Sequence, residues 1–148
     1  MSDDETYLRR AIELAGEAER AGDVPIGAVL VSGDLVLEAK NEKELRRDAT
    51  AHAEMLLLRE AAQRLGAWRL SEATLYVTKE PCLMCAGAII AARIKRLVYG
   101  AADPKGGADG GAFDVLRSPK TNHRLEITAG ILESEAAAQL QHFFRRRR

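Results

Sequence analysis

The sequence predicts a three-layer α/β/α architecture around one mixed sheet of about five strands. Three observations carry this. A hairpin of short, β-branched runs lies near the N-terminus, helix-like and strand-like segments alternate after it, and amphipathic patterns at both ends supply helices for both faces of the sheet.

Each element follows from its residues. Leu8, Ile12, Ala15 and Ala18 recur at helical spacing between about residues 4 and 21, and Gly22-Asp23 stops the pattern. Residues 25–31 and 35–39 are apolar runs joined by Ser32-Gly33-Asp34, which reads as a β-hairpin. A polar stretch, 41–48, leads into 51–65, rich in Ala, Leu, Met and Glu and closed by Gly66, a predicted helix. Strand 74–78, helix 82–93 and strand 96–100 follow. Pro104 and a cluster of glycines between Gly100 and Gly111 then mark a long loop of the kind that often carries function. Residues 125–128 make a last strand, and 133–144 a terminal helix whose Leu140, Phe143 and Phe144 should dock on the sheet.

A chain of 148 residues, 47% hydrophobic and 30% charged, can bury a core without disulfides and is unlike disordered or fibrous chains, so one domain over 1–148 is expected. The acidic start Met1-Ser2-Asp3-Asp4-Glu5 is unlike a signal peptide, and no apolar run is long enough to cross a bilayer, which predicts a cytoplasmic protein with no membrane partner. Lys plus Arg (22) equals Asp plus Glu (22), so any nucleic-acid signal must be local. Two clusters qualify: the run from Arg145 to Arg148, and Arg93 with Lys95 and Arg96. Basic residues also gather at helix ends because they complement the macrodipole.

The chemistry concentrates in two short motifs. The only two cysteines lie in Pro81-Cys82-Leu83-Met84-Cys85, where i and i+3 on a helix place two sulfurs within reach of one ion and the helix N-terminus favours thiolates. His52-Ala53-Glu54 adds an imidazole and a carboxylate. One His and two Cys make three zinc ligands and leave the fourth tetrahedral position open, as in catalytic sites. Zinc activates water for attack, and Glu54 would carry its proton. Residues two apart on a regular helix point nearly opposite ways, so His52 is expected in an irregularly entered first turn. A redox Cys pair and plain buried cysteines are the alternatives, but neither gives His52 and Glu54 a task. The same donor set could also accept iron or cobalt.

H-x-E followed by P-C-x-x-C matches the signature of zinc nucleobase deaminases. The flanking segments narrow the likeness: Gly22-Asp23-Val24-Pro25-Ile26-Gly27-Ala28, Thr50-Ala51-His52-Ala53-Glu54, Thr74-Leu75-Tyr76-Val77-Thr78 with Glu80-Pro81-Cys82, Asp103-Pro104-Lys105-Gly106-Gly107, Asn122-His123-Arg124 and Phe143-Phe144. Over nearly its whole length the chain resembles the bacterial tRNA-specific adenosine deaminases of the cytidine/deoxycytidylate deaminase superfamily. The resemblance implies a cytidine-deaminase-like fold, one Zn2+ per subunit, a homodimer, and conversion of the wobble adenosine (position 34) of a tRNA anticodon stem-loop to inosine. It further implies that Asn41 and Asn122 hydrogen-bond the flipped base, that Ile26 and Ala53 line its pocket, and that Asp103, Lys105, Phe144 and Arg145 contact the RNA. Two positions depart from the family pattern: Ala49 stands where a proline is usual, and Lys40 where an aromatic or His is common. A free-base or nucleoside deaminase for guanine or cytosine is the nearest alternative, and a non-catalytic zinc-stabilised subunit is one of another class.

Overall fold

The computed structural model describes residues 2–147; Met1 and Arg148, the last of the terminal arginines, lie outside the described residues. Five strands form one sheet in the order β2-β1-β3-β4-β5, with β1 (Gly27–Ser32), β2 (Leu35–Lys40), β3 (Thr74–Lys79), β4 (Arg96–Ala101) and β5 (Glu126–Ala129). β1 runs antiparallel to both β2 and β3, while β3, β4 and β5 are mutually parallel, giving the mixed sheet expected. The hairpin closes through Gly33, whose φ of 59° is the left-handed conformation this two-residue turn requires.

Alternation along the strands assigns the layers. Val29, Tyr76 and Val98 point to α1 (Asp3–Arg20) and meet its Leu8, Ala11 and Leu14. Ala28, Leu30, Leu75, Val77, Leu97 and Tyr99 point the other way. There they pack on Leu57, Leu58 and Ala61 of α3 (Ala53–Leu65) and on Ala86, Ile89 and Ile90 of α4 (Leu83–Ala91). Each fully buried Leu or Ile here is worth about 2 kcal/mol. α5 (Glu133–Arg146) lays Ala136 and Leu140 over Ala101, beside Ile12 of α1.

Several elements differ from the sequence reading for local reasons. The polar stretch 41–48 contains a one-turn helix, α2 (Lys43–Arg46), ended by Arg47 at φ 51°. β4 runs one residue past the expected strand, to Ala101, and the irregular segment after it runs to the last strand, with short pairings of Cys82 with Gly107 and of Asp109 with Asp114. Phe143 is buried, but Phe144 is 47% exposed and does not dock on the sheet, because the helix turns it outward. Among the described residues no helix is long and apolar enough to cross a membrane.

The two arginines of the second basic cluster are structural. Arg93, at φ 62°, turns its guanidinium back onto the Ile90 carbonyl at 2.7 Å and so closes the end of α4. Arg96 makes a two-pronged pair with Asp4 at 2.7 and 2.8 Å, fastening β4 to α1. The C-terminal run is partly tied down as well: Arg146 pairs with Glu19 at 3.2 Å, and Arg147 donates to the Gly22 carbonyl at 2.9 Å while stacking on Phe143.

Candidate active site

Two helix starts meet beside the C-terminal end of β3, the middle strand. His52 is the N-cap of α3, extended at φ −72° and ψ 150°, and Cys82 is the N-cap of α4, extended at φ −73° and ψ 175°. His52 therefore precedes the first turn rather than lying within it. That extended residue frees its ring from the i, i+2 opposition of a regular helix, so imidazole and Glu54 serve one cavity. Cys82 stands in the same relation to Cys85, which is inside the first turn of α4 and fully buried.

His52 Nδ1 lies 3.6 Å from Cys82 Sγ and 3.5 Å from Cys85 Sγ, and the three donor atoms all fall within 4.8 Å of one another. A tetrahedral zinc with ordinary Zn–N and Zn–S bonds separates its nitrogen and sulfur ligands by about 3.5 Å. The donor set and its spacing thus fit a metal ion. The thiols are already polarised: Cys82 is pushed down to about 3, first by the hydrogen bond from Cys85 and then by those from His52 and the Cys85 backbone. Cys85 is pushed far up, by that same shared hydrogen bond and by burial. His52 is raised, chiefly by its bond with Cys82.

Glu54 is 4% exposed, and its Oε1 has no hydrogen-bond partner although it is buried. Desolvation raises its pKa, opposed by His52 and Lys79. An orphaned carboxylate oxygen beside three metal-ligand atoms calls for a partner that the protein itself does not provide. Asn41, 3% exposed, fixes the approach: its Oδ1 accepts from the Ala53 N–H at 2.8 Å, and its own N–H donates to the Ile26 carbonyl at 3.0 Å. The entry turn that lacks proline at Ala49 is held instead by Asp48, which accepts from both the N–H and the hydroxyl of Thr50 at 2.8 and 2.7 Å.

The remaining residues singled out by sequence separate into groups. Asp103, Lys105 and Phe144 line one open groove of about 640 Å³ together with Lys79, although none of His52, Glu54, Cys82 or Cys85 lines it. Asp103 is heavily engaged: it pairs with Lys79 at 3.2 Å and accepts from the Lys105 N–H at 3.1 Å. Burial alone would raise its carboxyl, but these contacts hold it below the ordinary value. Ile26 and Ala53 are buried, Ile26 within the main core. Asn122 and Arg145 are exposed, and no contact among the described residues ties either to the metal-ligand cluster.

Glu80 stands in a segment that carries the family resemblance, but the sequence reading gives it no role. It is 2% exposed and accepts N–H bonds from Asp103 at 2.9 Å, Asp109 at 2.7 Å and Gly111 at 3.0 Å. The signal that could have found it is a carboxylate in the short strand-to-helix link next to Pro81-Cys82, in a chain whose glycine-rich loop needs something to wrap around.

Comparison with known proteins agrees with this geometry. The family model described as MafB19-like deaminase matches residues 2–148. The tRNA-specific adenosine deaminase of Bacillus subtilis is 49% identical over 98% of this chain and 91% of its own length. A solved structure from work on A-to-I editing by tRNA A34 deaminases at the wobble position superposes with TM-score 0.85 at 44% identity, covering 91% of this chain and 99% of that one. The guanine deaminase from Nitrosomonas europaea also superposes, with TM-score 0.79 over 97% of this chain and 85% of that one, but at 25% identity. Similarity this high and this continuous goes beyond a shared fold: the chain belongs to the MafB19-like deaminases, in the family of the tRNA-specific adenosine deaminases.

Proposed function

We propose that this protein hydrolyses the wobble adenosine (position 34) of a tRNA anticodon to inosine, with zinc held by His52, Cys82 and Cys85 and with Glu54 as the proton carrier. The observation that carries the mechanism is the buried Glu54 carboxylate, whose Oε1 is unpartnered beside the three donor atoms. When bound, zinc supplies the Lewis acidity that makes water a nucleophile at neutral pH. Glu54 would take one proton from the attacking water and deliver it to the ring nitrogen, where it stays, and would then carry the proton of the newly formed C6 hydroxyl to the amino group, which leaves as ammonia as the C–N bond breaks and the C6 carbonyl forms. Burial raises the pKa of Glu54, the direction that favours a carboxyl able to hold a proton between steps. Asn41 holds the start of α3, so that His52 and Glu54 stay at fixed spacing.

The substrate assignment is supported by identity of 49% to a tRNA-specific enzyme against 25% and 34% to two guanine deaminases of the same superfamily. The proposed RNA contacts are unequal in support. Lys105 and Phe144 are exposed and share a groove suited to a phosphate and a stacked base. Asp103 would share its carboxylate between Lys79 and a ribose hydroxyl. Asn41 and Asn122 as readers of the base, Ile26 and Ala53 as pocket walls, and Arg145 as an RNA contact rest on the family resemblance.

The protein is further proposed to act as one domain over 1–148, as a cytoplasmic homodimer. Exposed Trp68, which lines a shallow apolar groove with Met55 and Leu58 of α3 and Ala88 and Ala91 of α4, supports self-association, and light scattering checks it. The substrate is tested by offering the metal-loaded protein an anticodon stem-loop alongside free guanine, cytosine and their nucleosides. Inosine at the wobble position with the small substrates untouched is expected. Ammonia release from a free base without inosine in the stem-loop would favour the guanine or cytosine reading.

A further inference from the structure

The link from β3 to α4 touches the glycine-rich loop at every residue. Lys79 pairs with Asp103 at 3.2 Å, and the Glu80 side chain takes the three N–H groups of Asp103, Asp109 and Gly111. The Pro81 carbonyl accepts from Ala108 at 2.8 Å, and Cys82 pairs with Gly107. The two glycines nearest Glu80 are required by contact rather than by backbone angle. A Cβ on Gly107 would collide with the Glu80 carboxylate, and one on Gly111 would collide with the Asp103 carbonyl. Neither has positive φ. The loop is therefore wrapped around one buried carboxylate, and that carboxylate belongs to the chain two residues before a metal ligand.

We infer that Glu80 is a positioning residue: it fixes the loop bearing Asp103 and Lys105 against the start of α4, and thereby sets affinity for the RNA rather than the rate of the chemical step. This rests on the tRNA reading above. Oε1 receives one N–H and Oε2 receives two, so the carboxylate satisfies donors from both ends of the loop at once. A carboxamide cannot do this. Whichever way Gln is turned, its NH2 group faces at least one backbone N–H, and one end of the loop is released.

The test compares full-length, metal-loaded Glu80→Gln, Gly107→Ala and the double variant with the parent protein. Two readouts are needed: kcat and KM on the anticodon stem-loop, and amide hydrogen exchange of residues 103–111. Glu80→Gln should raise KM about tenfold with kcat within about twofold, retain its metal, and speed exchange across 103–111 by about tenfold while leaving α3 unchanged. Gly107→Ala should reproduce this from the other side of the same contact, and the double variant should be no worse than the more affected single one. Unchanged KM, a loss confined to kcat, or additive effects would overturn the inference. Hydrogen exchange needs no substrate, so unaltered exchange in 103–111 refutes the positioning role even if the protein proves not to act on tRNA. Faster exchange without any inosine from the parent protein would instead refute the RNA assignment, and with it the claim on affinity.

Discussion

His52 and Cys82 sit at the starts of two helices that are packed in the core, whereas Asp103 and Lys105 sit on an irregular segment tied down by side-chain to backbone hydrogen bonds. The first region needs ångström-level placement, because three donor atoms must converge, and regular elements supply it. Under the proposed function the second would meet a flexible, charged polymer, which tolerates a looser support and needs exposed groups. On that reading the chain places chemistry on its rigid framework and recognition on a loop hung from it, with residues 79–82 joining the two.

Removing a metal ligand should have the largest effect. Cys85→Ser is expected to abolish both metal retention and deamination, measured by elemental analysis and inosine yield; an active, metal-retaining variant would erase the division between the regions. Lys105→Ala should act differently, raising KM for the stem-loop several-fold, by about 1 kcal/mol of binding, with kcat and metal content unchanged. A lowered kcat would show that the loop takes part in the reaction.

How far these regions could be read from sequence differs in the same way. The candidate ligand motifs are local: H-x-E and P-C-x-x-C carry donor type and spacing within a few residues, so the grouping of His52, Cys82 and Cys85 is legible from the sequence alone. The sheet is legible for a similar reason, since period-2 runs such as residues 74–78 and 96–100 carry their own signal. What is not legible depends on distant partners. Glu80 becomes a loop anchor only through bonds to residues 103–111, and Arg96, which belongs by sequence to a basic cluster, is engaged by Asp4 across the fold. Phe144 is expected in the core because aromatic residues at a helix end usually are, yet the helix phase leaves it in the groove.

Smaller effects separate the two regions further. Arg145→Ala should weaken stem-loop binding only slightly and reduce the slope of log affinity against log salt by about 0.7, because one cation fewer displaces counterions. An unchanged slope would remove Arg145 from the RNA-facing surface. Asp4→Asn is the control at the opposite end of the strands. It should cost about 1 kcal/mol of stability at pH 7 and leave kcat and KM alone. Asp4 is held below its ordinary carboxyl value of 3.8 by the hydrogen bond from Arg96, so its stabilising share is full above about pH 4 and fades as pH falls through the lowered value. Denaturation curves of the two proteins should therefore converge only in strong acid.

Whether Glu54 carries the proton at a wobble-deaminating metal centre is decided by single-turnover formation of inosine in an anticodon stem-loop, with the parent protein and Glu54→Gln compared and the metal content of each measured. Stoichiometric metal in both, the same stem-loop affinity, and a rate lower by about 10²–10⁴ in the variant are expected. A Glu54→Gln protein that keeps its metal and deaminates at the parent rate would contradict that role.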